Sequence, residues 1–288
     1  MDGFWIVLTG CLVAAVSAIP GCFLLLRKST MIGDAIAHAV LPGIVIAYFF
    51  TQQRDSVWLL PFAALFGLFT TLLIESLNQN AKMQLDAAIG IAFTALFSLG
   101  VVLITLYADQ VELDQECVLY GEIAYVPLSL LYWGNVPLGP QSVWILGGLL
   151  LFELAWLFWG YRGLVITTFD PAYAASIGIQ TGFWHYSLMA LTSLSTVLSF
   201  ESVGVILVVA FLIGPAASAY LLTHHLPTMI SLALVFGLCS AVLGYFLAVW
   251  WNASIAGGMV SAIGIVFLSV MLYHFMANRA VHVPEKIT

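Results

Sequence analysis

The feature that most constrains the fold is a succession of long apolar segments separated by short polar ones. A transmembrane helix needs about 20 mostly apolar residues, because the hydrocarbon core is about 30 Å thick and a helix rises about 1.5 Å per residue. Nine candidate segments lie at about 4–26, 31–50, 57–77, 87–107, 141–160, 183–199, 203–222, 228–251 and 254–277. Only 7% of the 288 residues are charged. The sequence therefore predicts an all-α, polytopic transmembrane helical bundle of eight or nine spanning helices, forming a single domain over 1–288.

Basic residues predict the orientation of this bundle, because cytoplasmic loops near helix ends collect Lys and Arg. With the N-terminus outside and the C-terminus in the cytoplasm, six of the seven basic residues lie inside: Arg27, Lys28, Lys82, Arg162, Arg279 and Lys286. Only Arg54 lies outside. The first segment, 4–26, is interpreted as a retained span, because it lacks the basic leader and cleavage site of a signal peptide.

The longest external stretch, 108–140, is acidic. It carries Asp109, Glu112, Asp114, Glu116 and Glu122 and no basic residue. Such a mouth attracts cations by raising their local concentration, although a solvated loop with incidental charge explains the same composition. Within this stretch, 117–133 is apolar but interrupted by Gly121 and Pro127, which favours a surface-lying or re-entrant piece.

The longest polar connection predicted on the inside is 161–182. Asp170 is placed to cap a short helix that has Pro171 at its first position, 172–176 as its body and Gly178 near its end. A helix lying at the cytoplasmic face either closes a loop or provides a surface for a motor subunit.

The clearest chemical signal lies in the second predicted helix, where Asp34 and His38 are four residues apart and share one face. Ionisable residues in an apolar segment usually face a water-filled route or a partner. A carboxylate and an imidazole form a plausible ligand pair for Mn²⁺, Fe²⁺ or Zn²⁺. The alternative is that Asp34 starts the helix near the interface while His38 bonds a neighbour.

Small residues surround this pair. Ala35, Ala39 and Gly43 form a stripe that permits close helix approach, and Gly33 loosens the start of the helix. Pro42 cannot donate to the carbonyl one turn earlier, so that oxygen is left free. Together these residues describe a crowded, polar place in the membrane, as an ion site requires.

Other ionisable residues are less informative. Glu201 falls at the external end of a predicted helix, where it either guides or gates an ion or is a simple loop charge. Glu75 is expected to reach water, Glu153 needs a buried partner, and His185 is expected to be solvated. The sequence has no G-x-x-x-x-G-K-[ST] motif for ATP phosphates, and no H-E-x-x-H or G-x-S-x-G motif for hydrolysis.

Five blocks in this sequence resemble, in order, the permease subunits of the bacterial manganese, zinc and iron ABC importer family. They are GDAIAHAVLPGIVIAY (33–48), LDAAIGIAFTALFSLGVVLI (85–104), LDQECVLYGEI (113–123), FDPAYAASIGI (169–179) and VGVILVVAFLIGPAASAYLLT (203–223). The resemblance runs from about residue 20 to 250 and is far more specific than the Asp/His pair. Block 253–260 departs from the proline-containing pattern of the family.

The resemblance implies a multi-pass permease of the bacterial inner membrane that dimerises with an identical or related permease. Such a permease binds two cytoplasmic ATPase subunits, receives its ion from an extracytoplasmic metal-binding protein and binds no nucleic acid. On this view Asp34 and His38 match the intramembrane metal site, and two copies supply four ligands. Glu201 is carried over weakly as a metal residue, because an amide is common there in the family.

The segment that the resemblance assigns to ATPase docking lies within 161–182 and comprises Phe169, Asp170, Pro171, Ala174 and Gly178. The chain is then not an enzyme itself, and its only metal is the transported ion, with no permanently bound cofactor. Manganese fits the oxygen and nitrogen donors slightly better than zinc or iron. The alternatives are an ion-coupled secondary metal transporter that uses the same Asp/His site and, less supported, a membrane enzyme with an acid–base pair.

Overall fold

The computed structural model describes residues 2–51, 59–107, 123–133 and 136–281. The helices are α1 (Asp2–Leu26), α2 (Met31–Thr51), α3 (Leu59–Gln79), α4 (Leu85–Tyr107), α5 (Gln141–Phe169), α6 (Pro171–Ser176), α7 (Thr181–Val203), α8 (Val205–Leu222), α9 (Leu226–Trp251) and α10 (Ile255–Val281). A 3₁₀ helix (Ile123–Leu128) precedes a hairpin of β1 (Leu130–Trp133) and β2 (Val136–Pro140).

All nine predicted helices are present, and together they confirm the all-α bundle. Within the described ranges, eight helices are long and apolar enough to cross a membrane. The ninth, α7, is a helix of 23 residues but is less apolar. Its polar side chains, among them Thr192, Ser195 and Ser199, are buried against other helices. Polar residues are tolerated there because α7 faces protein on much of its surface.

The first helix lies at the centre of the bundle. Val13, Ala14, Ile19 and Phe23 point in different directions around α1, and all are fully buried. A helix that is apolar all round is buried on all sides, whereas α5 exposes large apolar residues such as Phe158 that suit contact with lipid.

One end of the bundle is marked by contacts of Arg27 and is called the Arg27 end. It carries the α1–α2 turn (27–30), the end of α5 and the start of α7, because Arg27 contacts Thr168 and His185. It also carries the end of α3, because His185 contacts Glu75. The opposite end, where α7 finishes, is called the Glu201 end.

Two predicted connections differ from the structure. The sequence predicts an inside connection at 161–182, but α5 continues to Phe169, which shortens this connection. Residues 161–169 stay helical because Gly160 and Gly163 let the ring of Trp184 on α7 pack closely against α5. On the other side, 123–133 forms the 3₁₀ helix and the first strand of an antiparallel hairpin in which Leu130 faces Pro140.

The acidic residues of the predicted external mouth lie outside the described residues. These are Asp109, Glu112, Asp114, Glu116 and Glu122, and the same holds for 117–122 of the segment predicted to be re-entrant. The interpretation of this stretch as a cation-attracting mouth therefore stays a prediction.

A buried carboxyl joins α5 to α7. Glu153 is fully buried, and one of its oxygens accepts a hydrogen bond from the Ser195 hydroxyl. The other oxygen has no hydrogen-bond partner within the described part of the chain, and neither have the buried hydroxyls of Thr196 and Ser199. The partner that the sequence left unnamed for Glu153 is thus Ser195.

We expect this joint to depend on an acceptor at position 153 rather than on a charge. Glu153→Gln keeps a carbonyl oxygen for Ser195 and should leave the thermal unfolding midpoint in detergent nearly unchanged. Glu153→Ala removes the acceptor and opens a cavity, which should destabilise the protein by roughly 2–4 kcal/mol. Equal midpoints for the two variants would contradict a role for the Ser195 bond.

Candidate functional site

Asp34 and His38 lie one turn apart near the start of α2, with Asp34 in its first turn. The His38 Nε2 atom is 3.6 Å from the Asp34 Oδ1 atom, which is longer than a hydrogen bond. The side chains are partly exposed, 45% for Asp34 and 28% for His38. Both groups therefore keep lone pairs available to a ligand.

Aromatic packing from α4 fixes the imidazole of His38. The rings of Phe93 and Phe97 meet it edge-on, with centroids 5.2 and 5.9 Å away. The Nδ1 atom is buried and has no hydrogen-bond partner among the described residues. Since the ring is held by packing, Nε2 is the nitrogen that faces Asp34.

A cavity of about 350 Å³ opens beside Asp34, between α2 and α4. A second carboxylate, Asp86 in the first turn of α4, also lines it, together with Met31 and Gly90. Asp86 is not predicted as a site residue from the sequence, because an acidic residue in the first turn of a helix is normally explained by the helix dipole. Only the packing of α4 on α2 gives it a place in this site.

This arrangement is suited to a divalent transition metal. An ion about 2.1 Å from each donor can bridge atoms up to roughly 4.2 Å apart, so the observed separation of Asp34 and His38 is within range. No group of three or more Asp, Glu, His or Cys side chains that could hold a metal is found among the described residues. The part of one chain that is described thus offers a pair of ligands, short of a full coordination shell.

The small residues around the pair are placed at helix contacts. A Cβ atom on Gly33 would come within 2.1 Å of Leu212 on α8, and one on Gly43 within 2.9 Å of the Phe62 carbonyl oxygen on α3. The remaining members of the group, Ala35, Ala39 and Pro42, are buried, and Gly100 of α4 packs against the Pro42 ring. These contacts bring α3, α4 and α8 close to α2.

Glu201 does not form a group with this pair among the described residues. It is exposed in the last turn of α7, 16 positions beyond His185, which is about 24 Å along a helix. There it lines a cavity of about 310 Å³ with Tyr125, Gln141 and Ser202. The structure does not bring Glu201 together with Asp34 and His38.

The short helix predicted for the docking segment is confirmed as α6. The Asp170 carboxylate accepts the Tyr173 backbone N–H at 2.9 Å, and Pro171 occupies the first helical position. Ala174 is buried, whereas Phe169 and Tyr173 expose 59% and 56% of their surface. Gly178 follows the helix with a φ of +81°, which reverses the chain. The segment presents apolar side chains at the Arg27 end.

Comparisons with known proteins agree with this architecture. The sequence profile of the ABC 3 transport family matches residues 4–274. The manganese transport system membrane protein MntD of Bacillus subtilis (strain 168) is 42% identical over 269 residues, 93% of this chain and 91% of MntD. The zinc transport system membrane protein TroD of Treponema pallidum (strain Nichols) is 38% identical over 273 residues, 93% of this chain and 73% of TroD.

A solved structure, PsaBC from Streptococcus pneumoniae in complex with Fab, superposes with a TM-score of 0.76 and 32% identity. The match covers 92% of this chain and 89% of that chain. The sequence relatives and the solved structure thus both match this chain over almost its whole length. This multi-pass membrane protein belongs to the ABC 3 transport family.

Proposed function

We propose that this chain is the permease subunit of an ATP-driven importer that moves a divalent transition metal into the cytoplasm. The observation that carries the proposal is the pair formed by Asp34 Oδ1 and His38 Nε2, 3.6 Å apart beside a cavity in the bundle. The names of the relatives add to it, because MntD is named for manganese and TroD for zinc.

In the proposed mechanism, the carboxylate of Asp34 and the lone pair of His38 Nε2 replace part of the hydration shell of the ion. Two ligands are too few, so a second copy of the permease, or a related one, contributes its own pair across a shared axis. The exposed face of α4 next to the cavity fits this arrangement, because Gly90 has no atom within 4 Å of an added Cβ. Small residues there permit close helix approach.

Oxygen and nitrogen donors without thiolate favour Mn²⁺ over Zn²⁺ or Fe²⁺ in our proposal. Affinity for a given site follows the metal series and favours zinc over manganese, so selectivity must come from geometry and availability. The separation of Asp34 and His38 in α2, set by one helical turn, is the geometry that the ion meets.

The proposed partners follow from the two ends of the bundle. The Arg27 end, rich in basic residues, faces the cytoplasm of the bacterial cell, which places the N-terminus outside. A separate ATPase subunit binds α6 there, since the sequence has no phosphate-binding loop of its own. At the Glu201 end, an extracytoplasmic metal-binding protein delivers the ion.

The test is transport by the reconstituted complex of permease and ATPase in proteoliposomes. We expect uptake of radioactive Mn²⁺ that requires ATP on the side of the membrane where the ATPase lies. Unlabelled Mn²⁺ should compete with this uptake more strongly than Zn²⁺ or Fe²⁺ does. Uptake that persists without ATP and without the ATPase, driven by a proton or sodium gradient, would instead identify a secondary transporter.

A further inference from the structure

Arg27 binds three side chains at the Arg27 end. Its Nε atom donates to the Thr168 hydroxyl at 3.1 Å and its Nη2 atom to the Thr167 hydroxyl at 3.3 Å. Its Nη1 atom is 3.3 Å from His185 Nδ1. Burial lowers the pKa of the guanidinium to about 10, so it is still charged at neutral pH. Arg27, which directly follows α1, thus connects α1 to the last turn of α5 and the first turns of α7.

The contact with Arg27 determines which ring nitrogen of His185 carries the hydrogen. A guanidinium only donates, so His185 Nδ1 must accept, and the ring hydrogen is on Nε2. That atom lies 3.2 Å from the Glu75 carboxylate of α3, to which it donates. Glu75 also accepts from Gln79. Glu75 is partly exposed, as expected for a residue that reaches water, whereas His185, expected to be solvated, is bonded on both ring nitrogens. Together they extend the Arg27 network to a fourth helix.

The network lies between the proposed docking helix and the proposed metal site. On one side, Thr167 and Thr168 are followed directly by Phe169 and Asp170, and the Asp170 N–H bonds to Ile166 while its carboxylate caps α6. A displacement of α6 must therefore move the two threonines. This is the input side of the network.

On the other side, Arg27 begins the tight turn into α2. The Ser29 N–H bonds back to Leu24 at 2.9 Å, and the Ser29 carbonyl accepts from Ile32 of α2 at 3.1 Å. A turn held at both ends transmits movement of Arg27 to the first turn of α2, where Asp34 lies. The path from α6 to Asp34 is short and made of directional hydrogen bonds.

We infer that Arg27 is a positioning residue that couples movement of the ATPase-docking helix α6 to Asp34 and His38, with His185 binding its guanidinium and Glu75 holding His185 in turn. The inference rests on the proposed function. It goes further by naming the side chains that transmit the movement driven by ATP hydrolysis to the metal site. None of these side chains lines the cavity beside Asp34.

The test compares metal uptake with ATP hydrolysis in the same reconstituted complex. Arg27→Gln removes the fork, and the number of Mn²⁺ ions imported per ATP should fall at least about fivefold, the lower limit of typical coupling between sites. The matched control is Lys28→Gln, which removes the same charge at the next position, where the side chain is exposed. That control should keep the wild-type ratio.

A second pair of variants decides the matter if Arg27→Gln fails to assemble. His185→Gln offers an oxygen to Arg27 and an N–H to Glu75 and should keep the wild-type ratio, whereas His185→Phe fills the space without either bond and should lower it. An unchanged ratio of uptake to hydrolysis in Arg27→Gln, or in His185→Phe where Arg27→Gln does not assemble, would overturn the inference. Absence of ATP-driven uptake by the wild-type complex would instead overturn the proposed function.

Discussion

Replacing Asp34 by Ala should lower ATP-driven Mn²⁺ uptake at least about 100-fold, since loss of a mere outer-shell partner already costs 10- to 100-fold in metal affinity. The change removes one of the two donors that face each other at 3.6 Å. Asp34 is partly exposed beside a cavity, so Ala leaves no buried partner unsatisfied. The variant should therefore insert and assemble normally while its transport is lost.

Uptake of radioactive Mn²⁺ into proteoliposomes measures this effect, and the amount of assembled complex per vesicle corrects for expression. Glu153→Gln is the matched carboxyl control, because it replaces a carboxyl group between α5 and α7 with an amide that keeps the Ser195 bond. It should retain most of the activity. Uptake unchanged in Asp34→Ala, or an equal loss in both variants, would refute the assignment of the metal site to α2.

The helices were predictable because the bilayer imposes a length and an apolar composition on each of them. Within a single helix, chemistry was predictable too. Asp34 and His38 are separated by one turn of α2 whatever surrounds it, and Asp170 with Pro171 forms a local cap for α6. In each case the positions concerned are neighbours in the chain, and their geometry follows from helical periodicity alone.

Contacts between helices were not predictable. Arg27 and His185 are separated by 158 positions, and the pairing of Asp34 with the cavity that Asp86 lines depends on how α4 packs on α2. Hydropathy predicts the length of a helix, but it does not predict which helices pack beside it or which of its faces they contact. The end of α5 was misplaced for the same reason, because Trp184 of α7 stabilises the extra turns.

Replacing Tyr173 by Asp should abolish stable binding of the ATPase subunit. Its side chain is exposed on α6 at the Arg27 end, next to exposed Phe169 and Ile177, so the three form the apolar surface proposed for docking. An aromatic anchor replaced by an unpaired carboxylate should weaken the complex at least about 30-fold, the equivalent of the roughly 2 kcal/mol that defines a hot spot. Co-purification with the ATPase and its dissociation constant measure the loss.

The fold of α6 should survive this substitution, which makes the result specific to docking. Tyr173 contributes its backbone N–H to the Asp170 cap, and a backbone bond is kept by any residue but proline. An acidic side chain in the first turn of a helix also interacts favourably with the helix dipole. Tyr173→Phe, which keeps the ring, should bind the ATPase as the wild type does. If Tyr173→Asp binds equally well, the ATPase docks elsewhere, and Arg27 then has no input from α6 to transmit.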